Sequence, residues 1–456
     1  MKMKSHLPER LYLSAPVWLQ NILVSAYGAM EHQKRYGGVY RPFLTELETR
    51  KCESGERLAG IIEDRIACIL RGAIQDVPYY RKLVLTSPRL SDFPLLDREE
   101  VANNTEQLVS QKYRNKDLIA LYTGGSSASP LKVYISKTVR QKTYAFWQSF
   151  YNEMDFRIGE KKASFVGRKV QEPDDDAPPF WRYNFIDRQL ILSSYHMSEK
   201  NLPHYLKKLN DFQPKIIEGY PLSIYRLAEY IINNDVDVSF QLTGVSTSSE
   251  NFSAFHRNTI EKAFNCRVFD QYGSAESVVF AAECKHGKMH IEPEYGIVEI
   301  LTSSGELYPY GEGELVVTTL LNDVMPLIRY RIGDLGEVQY EPCPCGRETA
   351  ILKQLHGKVG AIIANGDKRV PTAAIAIAFE YLEGIKNAQI IQDSADAVRV
   401  KLVKRPDFNP ESEKFMIWEL RKMLGDSLRI TVDYVDDIPP EANGKYKMVV
   451  QNFYRQ

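Results

Sequence analysis

Helical and strand-like segments alternate along the middle of the chain. Between residues 202 and 269, three helical segments alternate with three strand-like runs. The helical segments are Leu202–Phe212, Leu222–Asn233 and Phe252–Phe264, and the strand-like runs are Lys215–Gly219, a run that starts at Val245, and Cys266–Phe269. This repeated exchange of helical and strand periodicity is typical of helices that pack on a sheet. We therefore predict an α/β fold.

The segments on either side have different patterns. The first ~110 residues are mainly helical, with apolar spacing from Glu48 to Ala73 that ends before Pro78. The stretch Ile297–Val338 is rich in strands and predicts a β subdomain. In the last hundred residues three strands and one helix are predicted: Ala388–Gln392, Val398–Val403, Glu411–Leu424 and Ile430–Tyr434.

Length requires more than one domain. The chain has 456 residues, whereas a single core rarely grows beyond roughly 250–300 residues. The change of pattern near Leu355–Gly360 predicts a large N-terminal domain, residues 1–355, and a small α+β C-terminal domain, residues 356–456.

Composition excludes several classes of protein. With 58 Lys and Arg against 59 Asp and Glu, the formal net charge is −1, which gives no global electrostatic reason to bind nucleic acid or an anionic membrane. The apolar stretch Ala15–Ala26 is interrupted by polar residues and lacks the cleavage pattern of a signal peptide. Six cysteines are too few for a disulfide scaffold. We therefore expect a cytoplasmic protein.

A loop rich in glycine and hydroxyl groups follows an early strand. The apolar run Leu118–Tyr122 leads into Thr123-Gly-Gly-Ser-Ser-Ala-Ser-Pro130, and Lys132 lies just beyond. Glycines let backbone N–H groups approach a phosphate, and hydroxyls add further donors. The loop does not fit the Walker A pattern. A phosphate-binding loop and an ordinary polar turn are both consistent with these residues.

More short motifs follow in order. They are Asp270-Gln-Tyr-Gly-Ser-Ala-Glu276, Tyr330-Arg-Ile-Gly-Asp334, Leu355-His-Gly-Lys-Val-Gly360 and Pro439-Pro-Glu-Ala-Asn-Gly-Lys445. Together with the loop, this set resembles the adenylate-forming superfamily of acyl- and aryl-CoA synthetases, adenylation domains and luciferases. The resemblance implies that fold, with a mobile C-terminal domain that swings about Gly360.

The resemblance also implies roles for individual residues. Glu276 would help to hold Mg²⁺, Asp334 would accept hydrogen bonds from both ribose hydroxyls, and Lys445 would contact the carboxylate and the α-phosphate. Thr123, Glu276 and Lys445 are the implied catalytic residues. The implied ATP-binding residues are Thr123, Gly124, Gly125, Ser126, Ser127, Ser249, Glu250, Gln271, Tyr272, Gly273, Ser274, Glu276, Asp334, Lys358 and Lys445.

Three positions depart from the family pattern. Ala128 replaces a glycine, Lys358 replaces an arginine, and Gly360 replaces an Asp or Lys at the hinge. Lysine lacks the planar fork of arginine, so its contact with ribose or phosphate is less specific. Arg331 is expected to support the site rather than to contact the nucleotide.

Flanking segments narrow the resemblance to one branch. Val77-Pro-Tyr-Tyr-Arg81, Glu218-Gly-Tyr-Pro221 and Met325-Pro-Leu-Ile-Arg-Tyr330 resemble phenylacetate-CoA ligases, and within them the capsular polysaccharide biosynthesis and coenzyme F390 synthetase-like proteins. His196, Tyr220 and Gly273 are the implied acid-binding residues. For Tyr220 an aromatic core position is an equal alternative, and for His196 a surface histidine is the alternative.

Cysteine and histidine cluster in two short segments. Cys284, His290, Cys343 and Cys345 would provide the four S and N ligands of a structural zinc site, with His286 as the alternative imidazole. Some ligases of the branch carry such a metal. Reduced thiols beside unrelated histidines are the alternative. Cys52, Cys68 and Cys266 are expected to be small buried residues.

The resemblance implies an enzyme that uses ATP and Mg²⁺ to activate a small carboxylic acid, with CoA as the acceptor. One alternative transfers the acyl group to an amine or to a carrier-protein thiol. Another is a catalytically silent nucleotide-binding protein, suggested by the three departures. The acid stays open, and so does the oligomeric state, for which a homodimer is one option.

Overall fold

A computed structural model provides the coordinates. The structure describes residues 11–51, 53, 55–123, 130–165, 167–172, 174–250, 252–358, 362–365, 368–371, 384–439 and 446–452. Among these residues no helix combines the length and the apolar composition needed to cross a bilayer.

The N-terminal region is helical, as predicted. Its helices are α1 (Val17–Tyr36), α2 (Tyr40–Arg50), α3 (Gly55–Asp76), α4 (Pro78–Arg81) and α5 (Arg98–Asn103), with 3₁₀ turns at Leu90–Asp92 and Asn115–Asp117. The helix predicted from Glu48 is wrong at its start, because α2 ends at Arg50 and α3 begins at Gly55. Pro78 does end α3, and it then begins α4, where its missing N–H needs no partner.

The expectation that Cys68 is buried is also wrong. Cys68 is exposed on α3, whereas its neighbours Ile69 and Leu70 are buried. Adjacent positions on a helix lie about 100° apart, so one can face solvent while the next faces the core. Cys266 is half-buried, and Cys52 lies outside the described residues.

The central region alternates helices and strands, as predicted. The elements are β1 (Ile119–Tyr122), β2 (Lys132–Ile135), α6 (Lys137–Asn152), β3 (Lys162–Phe165), β4 (Trp181–Asn184), β5 (Gln189–Leu192), α7 (Leu202–Phe212), β6 (Ile216–Gly219), α8 (Pro221–Asn233), β7 (Gly244–Ser248), α9 (Ala254–Phe264) and β8 (Val268–Gly273). Strands β1 and β2 form a separate antiparallel hairpin.

An antiparallel series of strands follows. They are β9 (Phe280–Glu283), β10 (Met289–Ile291), β11 (Gly296–Leu301), β12 (Leu307–Tyr308), β13 (Gly311–Thr319), β14 (Tyr330–Gln339) and β15 (Ile351–Lys358). Within the part of the chain that the structure describes, thirteen strands form one sheet in the order β12-β11-β13-β14-β15-β10-β9-β8-β7-β6-β3-β5-β4. The strand-rich stretch predicted as a β subdomain is therefore continuous with the parallel strands β5, β3, β6, β7 and β8.

Helices cover both faces of the parallel strands. Helices α7, α8 and α9 pack on one face around a core that includes Tyr205, Leu227 and Ile260. On the other face α2 and α6 contribute Phe43, Phe146 and other aromatic side chains. This two-sided cover is typical of an α/β sheet.

Helix α1 covers the edge of the sheet at β4. Asn21 accepts a hydrogen bond from the Tyr183 backbone N–H at 2.9 Å, and Ser25 accepts one from that of Phe185 at 3.0 Å. Gly28 permits the close approach of α1 to β4, since a Cβ at this position would lie 2.6 Å from the Asn184 side chain. The helix thereby occupies backbone donors that an edge strand would otherwise expose.

The C-terminal region has its own small core. Its described elements are β16 (Ile362–Asn365), β17 (Lys368–Pro371), β18 (Ile385–Ser394), β19 (Ala397–Lys404), α10 (Pro410–Leu424), β20 (Arg429–Tyr434) and β21 (Val449–Gln451). Helix α10 packs Met416, Leu420 and Leu424 against the four-stranded sheet β20-β19-β18-β21. The three strands and the helix predicted for this region are present.

Strand β15 crosses the domain boundary predicted at 355/356. Lys358 pairs with Asp334 of β14, so residues 356–358 belong to the large sheet. The next described element begins at Ile362. We therefore propose that the boundary lies between Lys358 and Ile362, three or more residues later than predicted.

Candidate active site

Thr123 closes the loop predicted to bind phosphate. Its backbone N–H donates to the Leu131 carbonyl at 2.9 Å, and its hydroxyl accepts from the Leu131 N–H at 3.0 Å. Thr123 is buried, and the hairpin register continues from it through Tyr122 opposite Lys132. The hydrogen bonds between Thr123 and Leu131 therefore hold the two residues that flank the loop at a fixed distance. Gly124, Gly125, Ser126, Ser127 and Ala128 lie outside the described residues.

Two motifs that lie 62 residues apart meet in one contact. The Tyr272 hydroxyl donates to Asp334 Oδ2 at 2.8 Å, and Lys358 Nζ lies 2.9 Å from Asp334 Oδ1. Burial, followed by the charge of Asp334, raises the pKa of Tyr272 well above its usual value, so the hydroxyl remains a donor. Lys358, predicted as a nucleotide-binding residue, therefore sits beside the predicted ribose acceptor.

Glu276 lies between a tyrosine and an arginine. Tyr330 Oη is 3.5 Å from Glu276 Oε1, and Arg98 Nη1 is 3.9 Å from the same oxygen. Arg98 Nη2 also donates to the Thr123 hydroxyl at 3.1 Å. Thr123 and Glu276, which the sequence places 153 residues apart, are thus linked through one guanidinium group.

Arg98 is a site residue that the sequence did not indicate. It is the first residue of α5, after the N-cap Asp97, and lies in none of the motifs. A single arginine at a helix start carries no pattern that separates it from a solvated charge. Its placement follows from Leu96, which exchanges backbone hydrogen bonds with Arg329 and Arg331 beside β14.

The remaining predicted nucleotide residues lie at the ends of β7 and β8. Gln271 is buried and donates to the Tyr272 carbonyl at 2.7 Å, whereas Gly273 is exposed. The Ser274 hydroxyl is buried without a hydrogen-bond partner among the described residues. Ser249 has a left-handed backbone with φ of +73°. Parallel sheets place ligand sites at these carboxyl ends.

Tyr446, the residue that follows the last motif, contacts the same region. The Tyr446 N–H donates to Glu250 Oε1 at 2.9 Å, and the Arg226 guanidinium lies 4.9 Å from the centre of the Tyr446 ring. Tyr446 follows Lys445 directly in the sequence. Lys445 and the hinge residue Gly360 lie outside the described residues.

Two branch-specific segments contact each other. The Tyr80 hydroxyl donates to the Pro326 carbonyl at 3.0 Å and accepts from the Ile328 N–H at 3.2 Å. Tyr80 is buried, so its hydrogen bonds fix the segment that leads into Tyr330. Arg331 contacts Glu314 at 2.7 Å, which is consistent with its expected supporting role.

The two aromatic candidates for acid binding differ in environment. Tyr220 caps α8, and burial followed by Glu250 raises its pKa to about 12. His196 is buried, which contradicts the surface alternative. Its Nδ1 lies 2.7 Å from Ser193 Oγ and its Nε2 lies 3.0 Å from the Glu172 carbonyl. Both ring nitrogens therefore have protein partners, and acid binding by His196 stays a prediction.

A cavity of about 380 Å³ lies under α6. Gly219 and Ser248 line it at the carboxyl ends of β6 and β7, and Tyr144, Trp147 and Tyr151 line it from the helix. Ser248 pairs with Gln271 and directly precedes the predicted ATP-binding residues Ser249 and Glu250. The cavity therefore adjoins the predicted nucleotide site.

The four predicted zinc ligands form one cluster. The ligand atoms of Cys284, His290, Cys343 and Cys345 all lie within 4.8 Å of one another. Cys284 Sγ is 3.7 Å from Cys343 Sγ, close to the roughly 3.8 Å between two sulfurs in a tetrahedral zinc site. His290 Nε2 faces Cys345 at 3.3 Å, while its Nδ1 contacts Thr349 at 2.9 Å. The exposed His286 is not part of the cluster.

Comparison with known sequences identifies relatives of this chain. The family described as the CapK C-terminal domain matches residues 362–452. Protein CapK from Staphylococcus aureus is 28% identical over 455 residues, which cover 97% of this chain and 99% of CapK. A phenylacetate-coenzyme A ligase from Thermus thermophilus is 27% identical over 272 residues, 53% of this chain and 61% of the ligase.

The chain is related to CapK and to the phenylacetate-CoA ligase branch of the adenylate-forming superfamily. This confirms the resemblance drawn from the motifs.

Solved structures confirm the adenylate-forming fold. 2-Hydroxyisobutyryl-CoA ligase in its postadenylation state matches with a TM-score of 0.68 at 16% identity, covering 88% of this chain and 91% of the ligase. The same ligase in its thioesterification state matches with a TM-score of 0.53 at 16% identity, over 88% and 91% of the two chains. An amide bond synthetase from Marinactinospora thermotolerans reaches 0.50 at 18% identity, over 74% and 68%.

Proposed function

We propose that this protein activates a carboxylic acid with ATP to form an acyl-adenylate and pyrophosphate, and then transfers the acyl group to CoA. The proposal is supported by relatives named as phenylacetate-coenzyme A ligases and by a fold shared with CoA ligases. The single observation that carries it is the Tyr272–Asp334 hydrogen bond of 2.8 Å, which joins two adenylate-forming motifs at one point.

The first half-reaction depends on positioning and charge. Asp334 would accept from the ribose hydroxyls in exchange for its contact with Lys358, and Thr123 would anchor the phosphate loop. Glu276 would hold Mg²⁺, which suits a carboxylate oxygen and neutralises phosphate charge when bound. Arg98, between Thr123 and Glu276, would add a fixed cation on the same side.

Lys445 would act from the C-terminal domain. The Tyr446–Glu250 contact supports a place for this segment beside the predicted ATP-binding residues Ser249 and Glu250. A cation there would stabilise the negative charge that develops as the carboxylate attacks the α-phosphate. The C-terminal domain would then turn about Gly360 to admit the acceptor.

The carboxylic acid would occupy the cavity beneath α6. Its end at Gly219 and Ser248 adjoins the predicted nucleotide site, so the acid and the α-phosphate could meet there. Position 219 requires glycine, because a Cβ at its φ of +151° would lie 2.2 Å from the Phe165 carbonyl oxygen.

We also propose a structural zinc ion held by Cys284, His290, Cys343 and Cys345. The sulfur and nitrogen donor set, its spacing and the Thr349 contact on His290 fit a closed tetrahedral site. Bound zinc would supply no chemistry to the reaction. Three reduced thiols are also consistent with the proposed cytoplasmic location.

Substitution of Lys445 tests the proposed division between the half-reactions. Lys445→Ala should lower adenylate formation at least 100-fold, while CoA acylation from synthetic acyl-adenylate stays within threefold of the wild type. Lys447→Ala, two residues away, is the matched control and should retain both activities. Full adenylation by Lys445→Ala would contradict the proposal.

One alternative changes only the acceptor. The relative named as CapK and the fold shared with an amide bond synthetase support an amine or a carrier-protein thiol in place of CoA. AMP release measured separately with CoA, amines and carrier proteins would distinguish these acceptors, since only the true acceptor should accelerate it.

A catalytically silent nucleotide-binding protein is the other alternative. The departures at Ala128, Lys358 and Gly360 support it. The presence of Glu276, Asp334 and Lys445, whose chemistry a silent protein does not need, supports catalysis instead.

A further inference from the structure

One interior face of the parallel sheet carries a stripe of polar side chains. The register places Ser164 opposite Glu218, and Glu218 opposite Ser246, so the three side chains share a face. Lys162, Gln189 and Ser248 extend the stripe along the same strands. Strands of parallel sheets are normally apolar on both faces, because burying polar groups costs free energy. The stripe therefore indicates a function rather than a requirement of folding.

Helix α6 covers this stripe without filling the space above it. The cavity of about 380 Å³ is bounded by the polar strand residues on one side and by Tyr144, Trp147 and Tyr151 on the other. Arg35 of α1 and Arg168, an exposed residue in the loop after β3, also line the cavity. Aromatic walls with a few placed polar groups are typical of small-molecule sites.

The acidic side chains of the cavity have partners within the protein. Glu218 accepts from Ser164 at 2.6 Å and from Tyr151 at 2.5 Å, and it lies 3.1 Å from Lys162 Nζ. Asp187 is held by His32 at 2.8 Å and by Asn184 at 2.8 Å. Neither carboxylate is therefore left to attract a cationic ligand.

The arginines retain donor capacity. Arg35 contacts Glu31 at 3.5 Å, but its Nε is buried without a hydrogen-bond partner among the described residues. Arg168 makes no ion pair with a described residue. A guanidinium offers five N–H donors in a fixed plane, which suits carboxylate and hydroxyl oxygens. The guanidinium donors that remain available in and beside this cavity would therefore bind hydrogen-bond acceptors of a ligand.

We propose that the acid activated by this protein is a small polar carboxylic acid with additional oxygen acceptors, a hydroxyl or a second carboxylate, rather than an unsubstituted aryl or alkyl acid. The inference rests on the proposed adenylation. Arg168 is the specificity-determining cation, and the polar stripe hydrogen-bonds the body of the acid.

Acid-dependent ATP–pyrophosphate exchange with matched acids tests this inference. Succinate and butanoate have equal carbon counts, as do gluconate and hexanoate, and phenylacetate represents the aryl acids. We expect kcat/KM for the best polar acid to exceed that of its apolar partner and of phenylacetate at least tenfold.

Arg168→Met should raise KM for the preferred acid about tenfold and leave KM for ATP unchanged. Lys169→Met is the matched control, because Lys169 lies in the same loop, pairs with Glu172 at 2.9 Å and does not line the cavity. Melting curves of both variants should match that of the wild type, so that a loss of exchange reports specificity rather than unfolding.

Two results overturn the inference in distinguishable ways. Exchange that is as efficient with butanoate, hexanoate or phenylacetate as with the polar acids would refute the substrate class and leave adenylation standing. An unchanged polar preference in Arg168→Met would refute the role of Arg168. Exchange with none of the acids in a wider panel would refute the proposed function itself.

Discussion

At the scale of residues, the motifs identified candidate site residues but not their contacts. Tyr272, Glu276 and Asp334 could be selected from sequence because each occurs in a short recognisable motif. Their contacts could not be predicted, since the hydrogen bond from Tyr272 to Asp334 depends on the positions of β8 and β14. Arg98 occurs in no motif. The burial of His196 could not be predicted either, because its partners Ser193 and Glu172 are not distinguishable from ordinary polar residues in sequence.

Asp270, at the start of one motif, makes the stability of the folded protein depend on pH. Burial, followed by the neighbouring Glu283, raises the pKa of Asp270 from 3.8 to about 7. The folded protein therefore keeps a proton that the unfolded chain releases near pH 4, so stability falls as pH rises from about 4 to about 7. Asp270→Asn should raise Tm at pH 8 by about 2–4 °C and leave it nearly unchanged at pH 4.

Thermal unfolding from pH 4 to pH 8 checks this prediction. The amide of asparagine keeps an oxygen acceptor for the Thr247 hydroxyl, which donates to Asp270 at 2.7 Å. Asp64→Asn, an exposed position on α3, is the control and should follow the wild type at every pH. An Asp270→Asn curve parallel to that of the wild type would contradict the raised pKa.

At the scale of elements, local signals predicted most helices and strands. The three strands and the helix of the C-terminal region were predicted within a few residues because each is short and strongly periodic. The error at Glu48 arose because α2 and α3 carry similar apolar spacing, and spacing alone does not show the break between Arg50 and Gly55.

The cysteine cluster lies at the junction of β10 and β15, two strands that pair over a short length. Strand β10 meets β15 at one register pair, His290 opposite Ile351. Cys284 follows β9, while Cys343 and Cys345 lie between β14 and β15, so bound zinc would join both sides of this junction. We predict one zinc ion per chain, measured by elemental analysis of protein purified without chelators.

Removing ligands should remove both the metal and stability. Replacing Cys343 and Cys345 together by serine should abolish zinc binding and lower Tm by several degrees, because structural zinc contributes directly to folding. Cys68→Ser, at an exposed cysteine outside the cluster, should retain the metal and the Tm. Zinc-free wild-type protein whose Tm is insensitive to added zinc or chelator would contradict the assignment.

At the scale of the whole molecule, the sequence predicted two domains but not the continuity of the large sheet. The change of pattern after residue 355 indicated the division, although β15 extends to Lys358. The join between the antiparallel and parallel strands rests on β10 pairing with both β9 and β15, a long-range contact that no local periodicity encodes.

Ion pairs connect the C-terminal region to the large domain. Arg405 contacts Glu229 at 2.6 Å and the Tyr225 hydroxyl at 2.5 Å, and Arg226 contacts Asp437 at 2.5 Å. We predict that this arrangement is the adenylating one, so Arg405→Met should slow adenylate formation roughly three- to tenfold, equivalent to about 0.7–1.4 kcal/mol. CoA acylation from synthetic acyl-adenylate should be unchanged.

Single-turnover rates of the two half-reactions check this prediction. Arg399→Met is the control, because Arg399 pairs with Asp393 within the C-terminal region and should leave both rates unchanged. Equal slowing of both half-reactions by Arg405→Met would indicate general destabilisation and would contradict a role specific to one arrangement.

Acid-dependent exchange of labelled pyrophosphate into ATP tests the central claim most directly. The account predicts exchange that requires both Mg²⁺ and a carboxylic acid, with the KM for ATP raised at least tenfold in Asp334→Asn, since the neutral amide is a weaker acceptor for the ribose hydroxyls. Absence of exchange across a broad panel of polar, aryl and alkyl acids, in protein that binds ATP, would contradict adenylate formation.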